Sequence, residues 1–468
     1  MSTDARSHPP SVERILSILR GEGYELDQFE VSEAEALASL TRSVIEEERR
    51  RLAAGAPPTP DGGLAEAVVA RLEELDDPGL TIPPRVINAT GVILHTNLGR
   101  APWPRAARLA ATVAASTYGY LELDESTGRR GARFRAAEDH LVALTGAEDA
   151  LVVNNNAAAL AIAVGLAGRG GSVVVSRGEL VEIGGGVRIP QIIHRAGARL
   201  IEVGTTNRTR AADFEPPLAD GRANVVLRVH PSNFAMSGFV ESADLAEVAA
   251  LAHRHGAIVI DDLGSGALLD TAGYGLAHEP TPMERLAAGA DLVLFSGDKL
   301  VGGPQAGLIV GQRVLINRLR RDPLARAMRA DKAILAGVAA TLAIYRSGRA
   351  AIDIPVWQLI AQPADALRAR ADWILGLAPV AAGRADVSTV SLESPIGGGS
   401  LPGQTLPSFG VSVPVASASK AAAVLRTKPD RILARIVDDA VVFDLRTVAP
   451  LEDGIIVRRI GELQPPRT

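Results

Sequence analysis

The sequence predicts an α/β chain: a mostly parallel sheet with one antiparallel strand, preceded by a small helical domain and followed by an α+β domain. Three observations carry that prediction. Between about 149 and 311, short β-branched runs alternate with helical stretches: ALVV (150–153), SVVV (172–175), RLIEV (199–203), NVVLRV (224–229), AIVI (257–260) and DLVLF (291–295). Runs that are apolar throughout belong to a parallel sheet covered by helices on both faces. Only about ten residues separate DLVLF from AGLIV (306–310), too few for a parallel crossover, so this last pair is antiparallel. Finally, the runs end in polar residues rather than plain turns, which gathers polar groups along one edge of the sheet.

The clearest of the intervening helices is Ser242–His255, with Leu245, Val248, Ala249 and Ala252 on one face and Gly256 as its stop. Upstream, the chain reads as helical to about 52. Ile15, Leu16, Ile18 and Leu19 share one face, and a second pattern runs from Ser32 to Leu52 through EEERRR (46–51), a charge run that reads as a solvated helix end. The breaker-rich AGAPPTPDGG (54–63), a short helical piece (Leu64–Leu75) and TIPPR then form a linker. Beyond 335 a long helical region (about 331–375) precedes strands near 386–392 and 408–414, a helix at Ser417–Leu425 and a hairpin in ILARIVDDAVVFDLRTV. The expected organisation is a helical domain at 1–53, a linker at 54–84, a large α/β domain at 85–335 and a C-terminal domain at 336–468.

Composition narrows the function. A chain of 468 residues needs two or three domains. A net charge of −5 argues against non-specific coating of nucleic acid. The absence of cysteine rules out disulfides, thiolate nucleophiles and Cys-ligated zinc. The first thirty residues hold no apolar signal segment, and the longest apolar candidate, 157–168, is too short to span a bilayer, so a soluble cytoplasmic protein without membrane contact is expected.

Six polar strand ends mark one cleft: Asn154–Asn156, Ser176–Glu179, Gly204–Asn207, His230–Asn233, Asp261–Asp262 and Ser296–Lys299. Lys299 follows an apolar strand in a glycine-rich loop, where a rigid, partly desolvated setting suits an amine that must be neutral to join a carbonyl cofactor. The acidic pair ends the preceding strand; pyridoxal 5'-phosphate needs such a carboxylate at its ring nitrogen. Neighbours in a strand face opposite ways, so only one of the two can serve, and Asp262, which begins the DLGSG turn, is favoured over Asp261. In NNNAAA (154–159), Asn155 and Asn156 open a helix whose free amides suit a phosphate, although capping by asparagine explains them equally well. Ser296 can add a hydroxyl. The glycines of GELVEIGGGVRIP (178–190) suit either close backbone approach to a ligand or a flexible turn.

Several strings together resemble the bacterial L-seryl-tRNA(Sec) selenium transferase (selenocysteine synthase) family. They are VINATGVILHTNLGRAP (86–102), YLELDESTGRRG (120–131), SRGELVEIGGGVRIP (176–190), GTTNRT (204–209), DDLGSG (261–266), SGDKLVGGPQAGLIVG (296–311), PLARAMRADK (323–332) and GGGSLPGQTLPS (397–408), with PPSVERIL (9–16) at the start. The resemblance covers nearly the whole chain. It implies the aminotransferase-like fold type I of pyridoxal-phosphate enzymes, Lys299 as the cofactor lysine and α-proton base, and Asp298 beside the second substrate. It also implies that Arg100, Arg326 and Arg329 hold selenophosphate and that the N-terminal domain binds the tRNA. The implied reaction is β-elimination of the seryl hydroxyl, passing through dehydroalanyl-tRNA, and addition of selenium. The implied assembly is a large homo-oligomer, a decamer made of five dimers. The acidic N-terminal segment fits tRNA poorly: either Arg42, Arg49, Arg50 and Arg51 form a basic face, or the contacts come from elsewhere in the oligomer. Two rival readings are a lyase or aldolase acting on a free amino acid and a tRNA-binding scaffold without cofactor.

Overall fold

The computed structural model describes residues 8–21, 31–76, 82–131, 133–182, 186–234, 236–382, 386–427 and 429–465. The chain divides into two compact units, Met1–Arg85 and Val86–Thr468.

The first unit is helical: Val12–Gly21, Val31–Ala53 and Asp61–Asp76. Ile15, Leu16 and Leu19 pack with Leu37, Val44 and Ile45, and Leu64, Ala65 and Val68 of the third helix seal this small core. The expected linker at 54–84 therefore contains a helix that belongs to the unit. The acidic residues of EEERRR are tied down: Glu46 pairs with Arg49, Glu47 with Arg71 at 3.0 Å, and buried Glu48 with Arg51 and Thr59. Arg42 and Arg50 are exposed.

The second unit carries twelve described strands: β1 (Ile87–Ala89), β2 (Asp149–Val153), β3 (Ser172–Ser176), β4 (Arg199–Val203), β5 (Val225–Val229), β6 (Ile258–Gly264), β7 (Leu292–Ser296), β8 (Gly307–Gly311), β9 (Ser388–Pro395), β10 (Thr405–Pro414), β11 (Ile432–Val437) and β12 (Ala440–Asp444). Seven form one sheet in the order β2-β8-β7-β6-β5-β3-β4. β8 runs antiparallel to both β2 and β7, and the other neighbours are parallel. Alternate residues enter two cores, as the two faces of a covered sheet require. Val174, Val226, Val259, Val293 and Leu308 face one core, with the helices Ala136–Thr145, Leu245–Arg254 and Lys332–Arg346. Val173, Val175, Leu227, Ile260, Leu294 and Ile309 face the other, with Asn156–Val164, Ile189–Arg195 and Arg313–Arg321.

The remaining strands form a second sheet in the order β1-β11-β12-β10-β9. Ala364–Ala382, Ala418–Thr427 and Asp453–Glu462 cover it through Leu367, Ile374, Leu425, Ile456 and Ile460. The β11–β12 turn is Asp438–Asp439, both at positive φ (46° and 59°), the geometry of a tight two-residue hairpin.

Three readings of the sequence need correction. Residues 87–89, counted with the large domain and not expected as a strand, form β1, which pairs parallel with Ile432–Ala434 and buries Ile87 and Ala89 in the C-terminal core. The helical region expected at 331–375 is four helices, Lys332–Arg346, Ala350–Asp353, Pro355–Ala361 and Ala364–Ala382, because Gly348 is left-handed and prolines stand at 355 and 363. The helix expected from Ser242 begins at Leu245, where the Asp244 carboxylate accepts from the amides of Ala246 and Glu247. No described helix is long and apolar enough to cross a membrane.

Candidate active site

The carboxyl ends of β2, β5, β6 and β7 open onto a cavity of about 510 Å3. Its lining includes Arg100, Asn155, Asn156, Asp262, Ser296, Asp298 and Lys299. Two of the six polar strand ends, Ser176–Glu179 and Gly204–Asn207, do not reach it, because β3 and β4 lie at the far edge of the sheet. Glu179 is instead buried under the sheet edge, accepting from Arg228 Nε at 2.9 Å and Val229 N at 3.0 Å. In GELVEIGGGVRIP, residues 183–185 lie outside the described residues, whereas Val181 and Val187 line the cavity.

Lys299 is fixed by its loop. The Leu300 amide donates to Ser265 O (3.1 Å) and the Gly302 amide to Lys299 O (2.9 Å). Tyr345 Oη donates to the carbonyls of Leu300 and Val301, both at 3.0 Å, and Trp357 Nε1 to Leu300 O at 2.9 Å. Nothing in the sequence pattern singled out Tyr345 or Trp357, since both sit in helices far along the chain and reach the lysine loop only through its main-chain carbonyls. Burial, then the Arg100 guanidinium, pulls the Lys299 amine below the ordinary lysine range, with Asp262, Asp298 and Glu279 opposing. The amine donates to Gly399 O at 3.4 Å.

Asp262 is 4% exposed, and its Oδ1 accepts from Asn156 Nδ2 (2.8 Å) and Gly264 N (3.1 Å). Burial pushes its carboxyl up to about 6, against the Asn156 hydrogen bond and Lys299. Strand alternation sends Asp261 the other way, into an ion pair with Arg285 at 3.4 Å. Asn155 caps Asn156–Val164 by accepting from Ala158 N at 2.9 Å, so the capping reading holds for that side chain even as it borders the cavity. Asn156 Oδ1 is buried with no hydrogen-bond partner among the described residues. Ser296 is buried at the end of β7. His230, which the sequence offered only as one member of a strand end, lines the cavity with Nε2 3.3 Å from Glu279.

Arg100 holds a left-handed backbone (φ 63°), uncommon for a side chain of this size. Three contacts impose it: its amide donates to His95 O (3.1 Å), its Nη1 to Asp298 Oδ2 (2.6 Å), and the next amide, of Ala101, to Asp298 O (3.3 Å). Arg100 Nε is buried without a partner among the described residues. Arg326 and Arg329 do not line the cavity. Arg326 is exposed on the helix Pro323–Ala327, and Arg329 Nη1 pairs with Glu122 Oε1 at 2.9 Å. Their segment runs close by, however: Asn154 N donates to Met328 O at 2.9 Å, and Arg329 bridges Val153.

The arrangement pairs an amine and a carboxyl, both driven toward neutrality, with an Arg–Asp salt bridge and orphaned polar atoms. Such a site suits a polar, anionic ligand with a reactive carbonyl. The fold is shared with D-glucosaminate-6-phosphate ammonia-lyase, which superposes with a TM-score of 0.58 over 81% of this chain and 95% of that one at 23% identity. A family described as "SelA: L-seryl-tRNA selenium transferase" matches residues 86–449. The L-seryl-tRNA(Sec) selenium transferase of Moorella thermoacetica is 43% identical over 96% of this chain and 95% of its own, and that of Rhizobium meliloti (strain 1021) is 44% identical over 87% and 90%. On an α/β scaffold of fold type I, matched by the family model through both sheets and by relatives over nearly its full length, the chain belongs to the L-seryl-tRNA selenium transferase family.

Proposed function

We propose that the chain converts L-seryl-tRNA(Sec) to L-selenocysteinyl-tRNA(Sec), with pyridoxal 5'-phosphate joined to Lys299 and selenophosphate as selenium donor. The observation that carries this reading is the buried Lys299 amine sharing one cavity with Asp262 and the Arg100–Asp298 pair.

The residues fit the cofactor. Asp262, held by Asn156, provides a carboxylate for a protonated ring nitrogen. The amino end of Asn156–Val164 and the Ser296 hydroxyl suit a phosphate, and the orphaned Asn156 Oδ1 leaves an acceptor for a ring substituent. When bound, the cofactor withdraws electrons from the α-carbon of an attached amino acid. Lys299, with its basicity lowered by burial, takes the α-proton of the seryl group. The protonated Lys299 amine then gives that proton to the departing β-hydroxyl, which leaves as water, while Asp298, oriented by Arg100, holds the ammonium in place. Arg100 then offers its free guanidinium edge to the anionic selenium donor. Arg326 and Arg329 are assigned to the same anion by family resemblance; their segment skirts the cavity edge, and Arg329 must first leave Glu122. The helical unit, with exposed Arg42 and Arg50, is assigned to the tRNA, and a cytoplasmic homo-oligomer of five dimers completes the reading.

The test is incubation with seryl-tRNA(Sec) and selenophosphate, reading selenocysteinyl-tRNA, beside a parallel reaction with free serine. Turnover confined to seryl-tRNA supports the proposal. Equal turnover of free serine overturns the substrate, and a colourless protein with no borohydride-stable adduct on Lys299 overturns the cofactor.

A further inference from the structure

β9 and β10 pair as a hairpin of the five-stranded sheet, and their connection, 396–404, reaches the cavity of the seven-stranded sheet, which Gly398 and Gly399 line. The connection is anchored on one side by the Leu94 amide, which donates to Ile396 O at 2.8 Å, and it is closed by Ser400 N donating to Gly397 O at 3.2 Å.

Gly397, Gly398 and Gly399 are all left-handed, with φ of 76°, 60° and 76°. A turn alone needs no three such residues in succession. Contacts on both sides demand them. A Cβ at 397 would lie 2.6 Å from Val92 Cγ1, one at 398 would lie 2.5 Å from Leu94 O, and one at 399 would lie 3.1 Å from Lys299 Nζ. The strap is thus pressed between the segment leading to Arg100 and the lysine itself. Its one polar contact with the lysine is Gly399 O, 3.4 Å from Nζ. The next residue, Ser400, is 2% exposed, and its hydroxyl has no partner among the described residues, so the strap is held by main chain and shape rather than by its side chains.

We propose that the Gly397–Gly399 strap is a positioning element for the cofactor lysine: whenever the Lys299 amine is free, the Gly399 carbonyl takes one of its N–H groups and keeps the nitrogen aimed into the cavity. The amine must leave and rejoin the cofactor once per turnover, and a flexible four-carbon stem would otherwise search many rotamers before each return. Only glycine at 399 brings a main-chain carbonyl this close without a side chain in the path of the amine. The inference rests on Lys299 being the cofactor lysine.

The experiment mixes cofactor-free, full-length wild type, Gly399→Ala and Gly403→Ala with pyridoxal 5'-phosphate and follows the borohydride-stable adduct on Lys299 by peptide mass as a function of pH. Gly403 has the same left-handed backbone (φ 75°) with nothing within 4 Å of a Cβ, so it carries the strain without the contact. The expected result is adduct formation slowed about tenfold in Gly399→Ala, with an altered pH dependence, and changed less than about twofold in Gly403→Ala. Equal rates in the two variants overturn the proposal. Absence of adduct in the wild type overturns the cofactor reading instead. Should Gly399→Ala not fold, hydrogen exchange of cofactor-free Lys299→Met against wild type decides. Residues 396–401 exchange about fivefold faster in Lys299→Met, with β10 unchanged, if the amine orders the strap. Unchanged exchange there overturns the proposal.

Discussion

Asp262→Asn should stabilise the cofactor-free protein and weaken its hold on pyridoxal phosphate. The buried carboxyl has been pushed from an ordinary 3.8 to about 6. The folded protein therefore keeps this proton up to about pH 6, while the unfolded chain releases it near 3.8. Between those values the folded state binds more protons, so the Asp262 contribution to stability falls as pH rises and the full penalty stands above about 6. At about 1.4 kcal/mol per pH unit, the penalty is about 3 kcal/mol. Asparagine has the same shape and can accept from Asn156 and Gly264 through its own Oδ1, without the charge. Denaturant unfolding of the cofactor-free proteins should find Asp262→Asn more stable by about 3 kcal/mol at pH 8 and by about half that at pH 5. Titration with pyridoxal phosphate should show affinity reduced about ten- to a hundredfold at pH 8, because a charge-assisted hydrogen bond is lost. Wild-type affinity should decline below pH 6, and that of the variant should not. A stability gap independent of pH, or a variant less stable than wild type at pH 8, refutes the reasoning.

Tyr345→Phe removes the hydroxyl that donates to both Leu300 and Val301 carbonyls; it should cost about 1–2 kcal/mol in thermal unfolding and lower kcat more than it raises KM. Asp149→Asn leaves Arg135 (2.7 Å) and Arg320 (2.6 Å) without their shared carboxylate and should cost about 3 kcal/mol at pH 7. Burial opposes that charge, but the two guanidiniums outweigh it and hold the carboxyl well below the usual range; the wild-type advantage in urea melts should therefore fade as pH falls below about 4. Gly91→Ala places a Cβ 2.0 Å from Asp444 Oδ2 at φ 74° and should cost about 3 kcal/mol, read as loss of soluble protein or a lower unfolding midpoint.

The large sheet was legible because its inner strands β3, β5, β7 and β8 are buried on both faces and so appear as nearly continuous apolar runs. The antiparallel β8 was legible from the length of one loop. The four strand ends that meet in the cavity were legible as polar residues after apolar ones, but strand order was not, which is why Gly204–Asn207 was grouped with a cavity it never reaches. β1 was invisible as a C-terminal strand, because three residues carry no periodicity and its partner lies more than three hundred residues away. The support for Lys299 was hidden for a related reason: Tyr345, Trp357 and Gly399 act on or through main-chain carbonyls, and main-chain partners leave no signature in side-chain chemistry.

The electrostatics of the site argue for one ligand rather than several. In the cofactor-free protein Asp262 is driven up and Lys299 down, each toward its neutral form, although the two attract. Burial dominates both shifts, and their mutual attraction does not overcome it. A group that relieves both must bring a cation to Asp262 and consume the lysine's basic nitrogen in a bond. An aldehyde on a protonatable pyridine does both at once, whereas a metal ion would satisfy the carboxylate and repel the lysine, and a simple anion the reverse. The Arg100–Asp298 pair is a second charged contact in the same cavity, joined Nη1 to Oδ2 at 2.6 Å, with Arg100 Nε free of any described partner. The cavity therefore holds two coupled charge problems, since Arg100 also lowers the basicity of Lys299. One is answered by the cofactor, and the Arg100–Asp298 pair is the part that the proposal assigns to an anionic second substrate.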